Sequence, residues 1–494
     1  MLLALIATNA TAAEAKVQTS DEKVTYKNAQ TQKDNLSQDH TFEPGQFTKR
    51  GLELGAGWIA TGDLRLGWLQ YDYGNPPPGD GNTNNNHVDS KGFYTVAKLA
   101  IKTPVWYGLS AKVMGAGATD FGLNDSAYES RNFVFNGGGY GTSEYDPKSY
   151  AILQEAYIQY ANSGNKALVG RQELTTPMID ADDWYMFANS FELAYYENTM
   201  LENNTFSLVY FYKMSGVWDA GSFYHDSSVS SPTFGRTVAP LGGTGFYSMS
   251  QASFTSQEDK DNANDSGIIT GAYQYDDDTN NVQVWNYYAT DLYNTLFAQY
   301  DFTSKVGGFS YDLGAQFINF KEVGQLADNA KNDRETTGTA GRTIDASMYS
   351  VRFDGSFENG IDFATGATKY SDGDGFGSVL GAWGGYPYFA NGMIFHFFEA
   401  GTLQNAASYK AQLGYDIMDG LWLGVRYTYW NLDSSNSFTD MTNKIDPQDT
   451  MQMYGVRLSY SGIAGTYFTG TYEYVDLDQQ PHINSLRLIG GIKF

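Results

Sequence analysis

From about residue 61 to the C terminus, hydrophobic and polar positions alternate in segments of roughly ten residues. An alternation of period two puts one set of side chains on each face of an extended strand. In the clearest case Leu421, Leu423, Val425, Tyr427 and Tyr429 share one face, and Trp422, Gly424, Arg426, Thr428 and Trp430 the other. Eighteen such segments occur, at 61–73, 92–102, 108–118, 149–160, 165–171, 190–199, 204–213, 266–276, 281–290, 293–303, 308–320, 343–354, 359–370, 405–416, 420–431, 450–461, 464–476 and 484–494. A membrane strand needs about 9–11 residues to cross at a tilt, with alternate side chains facing lipid. The pattern therefore predicts an all-β chain, a transmembrane antiparallel β-barrel of eighteen strands.

The connections sharpen this expectation. Those at 103–107, 161–164, 200–203, 277–280, 304–307, 355–358, 417–419 and 462–463 are short. The intervening ones are mostly long (74–91, 119–148, 172–189, 214–265, 321–342, 371–404 and 432–449, with 477–483 moderate), and only 291–292 breaks the alternation. Short periplasmic turns and long extracellular loops are the signature of outer-membrane barrels. An even strand number puts both termini in the periplasm. In the last segment Leu486, Leu488, Gly490, Ile492 and Phe494 lie on one face, and Arg487 and Lys493 on the other. An alternating strand closed by Ile492 and a terminal aromatic, Phe494, resembles the assembly signal of such barrels.

Residues 1–15, MLLALIATNATAAEA, read as the remnant of a secretory signal, an apolar stretch running into small-residue A-x-A frames. The basic leading region is missing, so the start is expected upstream. Residues 16–50 read as a polar periplasmic or lumenal segment, and 51–494 as the barrel.

Composition narrows the function classes. With no cysteine among 494 residues, thiol catalysis, disulfides and Cys-zinc sites are excluded. There are 54 Gly, 38 Tyr, 30 Phe and 9 Trp, an excess that suits aromatic girdles at two membrane interfaces better than a soluble core. No apolar run of about 18 residues marks a membrane helix. A net charge of −25 argues against nucleic acid as a partner. The match of Gly55-Ala56-Gly57-Trp58-Ile59-Ala60 to G-x-G-x-x-A opens no helix and is no nucleotide site. Neither G-x-S-x-G nor H-E-x-x-H is present, and His40, His87, His225, His396 and His482 have no ligand spacing. No catalysis and no cofactor are expected. Asp259, Asp261 and Asp265, and Asp372 with Asp374, break the EF-hand pattern and leave only loose calcium binding in loops. Asp276-Asp277-Asp278 reads as a solvated periplasmic turn.

The segment from Gly170 to Glu192, GRQELTTPMIDADDWYMFANSFE, resembles a hallmark of OprD-type porins and the major outer-membrane porins of the campylobacter group. The matching elements are Gly170-Arg171-Gln172, Thr176-Pro177, Asp182-Asp183 and Asn189-Ser190-Phe191-Glu192. Trp184-Tyr185-Met186-Phe187 replaces the family's Arg-Leu-(Ile or Phe)-Pro. The resemblance implies an eighteen-stranded porin whose third loop, 172–189, folds inward as the constriction, with Asp180, Asp182, Asp183, Trp184 and Tyr185 upon it.

Alternation places Arg65, Lys98, Lys112, Arg352, Lys410, Arg426, Arg457 and Arg487 in the lumen, mostly on one wall because the first and last strands pair. Such a basic track, similar to the basic ladder of the OprD family, would face the loop carboxylates and orient dipolar solutes. The function read is an outer-membrane porin, a water-filled channel for passive diffusion of small hydrophilic solutes and ions. Outer-membrane lipid surrounds it, and monomer and homotrimer are both open to it. The alternative reading is an adhesin or receptor barrel binding a partner through its long loops.

Overall fold

In hydrocarbon every backbone N–H and C=O needs a partner within the protein, and a sheet meets that demand only by closing on itself. A computed structural model describes residues 52–72, 90–124, 149–181, 186, 188–215, 246–249, 266–324, 327–328, 345–371, 383–394, 405–432, 437–439, 445–447, 450–461, 465–477 and 482–494. The wall runs β1 (Trp58–Asp72), β2 (Ser90–Lys102), β3 (Leu109–Thr119), β4 (Tyr150–Asn162), β5 (Asn165–Gln172), β6 (Ser190–Asn198), β7 (Asn204–Ser215), β8 (Ile268–Asp276) and β9 (Asn280–Ala289). It continues with β10 (Tyr293–Val306), β11 (Phe309–Glu322), β12 (Asp345–Phe357), β13 (Ile361–Tyr370), β14 (Ala407–Met418), β15 (Leu421–Asn431), β16 (Thr450–Tyr460), β17 (Thr466–Leu477) and β18 (Ile483–Lys493).

Each strand pairs antiparallel with the next, and β18 returns to β1 from Asp63↔Lys493 to Asp72↔Asn484, closing an 18-strand barrel. The expected strands are all present, and the break at 291–292 is a real tight turn, with the Leu292 N–H donating to the Ala289 carbonyl at 3.1 Å. Short pairings outside the eighteen strands escaped the sequence pattern, among them Tyr247–Ser248 on the end of β7. Leu52–Gly55 folds back on the start of β1 through Gly55, Ala56 and Gly57, all at positive φ (99°, 51° and 80°), so the glycine pair there makes a turn. A small hairpin, Ser437–Thr439 with Ile445–Pro447, lies within the β15–β16 connection. In the β8–β9 turn the Asp277 carboxylate accepts the backbone N–H groups of Asn280 and Thr279, which hold its pKa down at about 2.

The two faces divide as the alternation requires. Leu64, Leu66, Leu99, Ile101, Val113, Ile158, Val169, Leu413 and Val425 are exposed on the outside, a belt far too apolar for water. Arg65, Lys98, Thr428 and Arg487 are buried within. Among the described residues no helix is long and apolar enough to cross a membrane. Where outward glycines thin the wall, rings cover them: Phe309 and Phe363 flank Gly355 so closely that an added Cβ would meet them at 2.6–2.7 Å.

Register shifts interrupt the alternation at Tyr212 in β7, at Ile417 in β14 and, most consequentially, in β4. Gln154 is the extra residue of a β-bulge in β4, since Met114 pairs with Glu155 and Gly115 with Leu153. The bulge turns Gln154 and Glu155 both inward, and both are buried.

At the seam the Gly62 N–H donates to the Phe494 carbonyl at 2.9 Å, and the Phe494 N–H to the Gly62 carbonyl at 3.0 Å. The Phe494 ring lies on Gly62, where a Cβ would collide with it, and Ile492 faces outward beside it. Gly62→Val is therefore expected to lower the yield and rate of barrel closure, read as the heat-modifiable folded band after refolding into vesicles. Unchanged closure would show that the seam does not depend on this ring contact.

Candidate pore constriction

β5 is a short strand, and its exit at Gln172 starts the 173–189 connection from part-way down the wall, since Arg171 pairs with Ala156 in the middle of β4. The connection turns into the barrel. Met178, Ile179, Asp180, Met186, Ala188 and Asn189 are all buried there. Its anchors come from four strands. Lys98 on β2 donates to Glu173 at 2.6 Å, and Arg65 on β1 donates to the Met186 carbonyl at 3.2 Å. The Met178 N–H donates to the Tyr287 hydroxyl on β9 at 3.3 Å. The bulge on β4 holds both roots: Glu155 accepts from the Glu173 N–H at 3.4 Å, and Gln154 donates to the Ala188 carbonyl at 2.6 Å. Gly67, inward on β1, leaves the notch into which Met186 fits. The Asp180 carboxylate accepts from the Thr175 hydroxyl at 2.7 Å. Asp182, Asp183, Trp184 and Tyr185 lie outside the described residues.

A second inward segment was not read from the sequence, where 371–404 was expected to be an external loop throughout. Residues 383–394, WGGYPYFANGMI, are buried from end to end inside the barrel. They carry no charge, so leaving them in bulk water would expose a large apolar surface, and that composition was the available signal. The two segments meet: the Asp180 N–H donates to the Trp383 carbonyl at 2.8 Å, and Ile179 bridges to Trp383 and Gly384. Gly366 and Gly455 on the inner wall give room for Phe389 and Met393, whose atoms would lie 3.2 Å and 2.7 Å from an added Cβ.

All eight basic positions inferred from alternation are on the inner face, but they do not form a bare cationic ladder. Arg65 pairs with Asp63 at 2.7 Å, Lys98 with Glu173, and Lys112 with Glu155. Arg352 pairs with Asp301 at 2.9 Å and Asp354 at 3.3 Å. Lys410 lies on the same row as Arg352, with Gly366 between them. Arg426 donates to Gln412 at 2.8 and 3.0 Å and to the Gly392 carbonyl at 3.0 Å. Arg457 donates to Thr471 at 3.0 Å and the Met393 carbonyl at 3.4 Å, and Thr471 separates it from Arg487 on β18.

The carboxylates were the larger omission. Asp63 and Asp354 share parity with Arg65 and Arg352, so the same alternation reveals them; Glu155 is hidden by the bulge. The acidic positions weighed for calcium, Asp259, Asp261, Asp265, Asp372 and Asp374, lie outside the described residues, as do His40, His87, His225 and His396. His482 packs on Tyr474, with ring centroids 5.3 Å apart.

A closed wall with an apolar outside, an ionic inside and chain folded into its lumen defines a transmembrane β-barrel of the outer-membrane type. Its structure is similar to OccK9 (OpdG) of Pseudomonas aeruginosa, at 12% sequence identity and a TM-score of 0.62, over 88% of this chain and 98% of that one. It is also similar to Pseudomonas aeruginosa OpdK with vanillate (13% identity, TM-score 0.59, 90% and 100% covered) and to Acinetobacter baumannii OccAB4 (14%, 0.62, 89% and 98%). No protein-family model matches the chain, and no curated protein matches it in sequence. The chain thus has the fold of the OprD/Occ porin group.

The paired lining has a direct consequence for stability. Arg352→Gln removes the cation shared by two buried carboxylates, leaving Asp301 with the Gln299 amide and Asp354 with the Thr365 N–H and the nearby Lys410 charge, and is expected to cost about 3–5 kcal/mol. Lys305→Gln, which breaks an exposed pair with Glu358, should cost less than about 1 kcal/mol. Urea midpoints of the two variants in lipid vesicles give the comparison, and equal midpoints would show that the Arg352 cluster is not a desolvated pair.

Proposed function

We propose that this chain is an outer-membrane porin, conducting small hydrophilic solutes and ions passively, without catalysis or a cofactor. The observation that carries the reading is the concentration of Arg, Lys, Asp and Glu on the inner face of a closed barrel, around two inward chain segments. Charges buried in a dry core are costly even when paired, and packed apolar side chains would hold such a core at least as well. An ionic rather than apolar lining, its charges paired where the wall and the inward segments cover them, is suited to a path for hydrated solutes. That OpdK has been seen with vanillate supports small organic solutes as the class carried.

In this reading the 173–189 connection, with Asp180, Asp182, Asp183, Trp184 and Tyr185, is the constriction, and 383–394 narrows the lumen from the opposite side. The eight basic residues serve as a lining in which carboxylates offset the charge of Arg65, Lys98, Lys112 and Arg352, while Arg426 and Arg457 are held by neutral acceptors. The purified protein is expected to give stepwise single-channel currents in planar bilayers. Deleting 176–188 should raise both conductance and the size limit for neutral solutes. Silence in the bilayer would overturn the porin reading, and an unaltered size limit in the deletion would remove the loop from the constriction.

The net charge of −25 and the loop carboxylates favour cations near the narrowest point. Charges farther off than about 8 Å are screened at physiological salt. A weak cation preference is therefore expected, falling at high salt. Asp180→Asn, Asp182→Asn and Asp183→Asn combined should shift the reversal potential toward anions. An anion-selective channel indifferent to the triple change would show that other charges set selectivity.

A further inference from the structure

Residues 391–394 are held by an arrangement that the basic wall alone does not explain. Arg426 and Arg457, on β15 and β16, donate to the carbonyls of Gly392 and Met393. Thr428 donates to the Asn391 carbonyl at 2.9 Å. The next strand, β17, supplies the opposite polarity. Both oxygens of the Glu473 carboxylate accept backbone N–H groups, from Met393 at 2.6 Å and Ile394 at 2.5 Å. Glu473 is fully buried, and its two acceptor bonds are of the strong, charge-assisted kind. Three adjacent strands thus meet both the carbonyls and the amides of one short stretch of chain. Gly455 opens the wall beneath Met393.

We propose that Glu473 is the positioning residue of the lumenal segment 383–394, a clasp that fixes how far this segment narrows the channel. Arg426 and Arg457 are then part of the clasp, holding chain in place as well as presenting charge. This rests on the reading of the lumen as the permeation path, but the clasp itself has a readout independent of conduction.

The absence of cysteine from the chain makes that readout clean. Ala390 is buried, and its carbonyl accepts from the Ser408 hydroxyl at 2.8 Å. Ala390→Cys is introduced alone and together with Glu473→Gln. The rate of modification by a membrane-impermeant maleimide is measured on barrels that pass the heat-modifiability assay. Glu473→Gln keeps the shape but cannot accept two N–H groups with a full charge, and labelling is expected to accelerate at least about tenfold. If Glu473→Gln fails to fold, Glu473→Asp serves in its place; it keeps the charge but withdraws it by one methylene. In bilayers the Glu473 variant should show a larger, noisier open current. A disulfide between Ala390→Cys and Ser408→Cys should return that current to the wild-type level, which a purely electrostatic effect would not do. Equal labelling rates with and without the Glu473 change overturn the clasp. A silent wild-type channel would overturn the porin reading while leaving the labelling test of the clasp intact.

Discussion

Everything in this molecule follows from the pairing of β18 with β1. An open sheet of these strands would leave two rows of backbone N–H and C=O groups in hydrocarbon, each costing several kcal/mol. The ladder from Asp63↔Lys493 to Asp72↔Asn484 removes both rows at once. Closure then gives the wall an inside and an outside, and the period-two alternation assigns every side chain to one of them. The same closure brings the first and last strands of the wall together, so Phe494 lies against Gly62 although 432 positions separate them in sequence.

An inside-out protein inherits an electrostatic problem that a soluble one avoids. Its inner face carries arginines and lysines because they are far more expensive on the lipid face, by about 2–4 kcal/mol at mid-depth. Within the lumen each must still find a partner. On β1 to β4 and around β12 the partners are carboxylates, Asp63, Glu155, Glu173, Asp301 and Asp354. On β15 and β16 they include backbone carbonyls of the inward segment 391–393. The lining and the chain it encloses are therefore one hydrogen-bonded system. A change in a lining charge acts on the geometry of the lumen as well as on its field, and the two effects need separate measurements.

The small residues of the wall have a matching role. Gly67, Gly366 and Gly455 are inward positions at which a side chain would strike Met186, Phe389 or Met393. Part of the high glycine content thus shapes the inner surface to receive the inward segments. The bulge at Gln154 does comparable work on the backbone, since it turns two successive residues inward and lets one strand hold both roots of the 173–189 connection.

The barrel class, the strand number and the inward orientation of Arg65, Lys98, Lys112, Arg352, Lys410, Arg426, Arg457 and Arg487 were all legible in the sequence. Each depends only on local period and spacing, and membrane thickness makes those nearly deterministic. What the charges do was not legible. The sequence shows Arg426 pointing inward, but not that Gly392 would lie 3.0 Å from it, because that contact joins residues 34 apart through a segment folded back into the lumen. Glu155 escaped for another reason: a single inserted residue reverses the parity on which the whole reading rests. Only the tertiary structure decided which lumenal charges are paired and which hold the chain. Those outcomes depend on long-range closure and on the notches that glycine leaves, and neither has a periodic trace in the sequence.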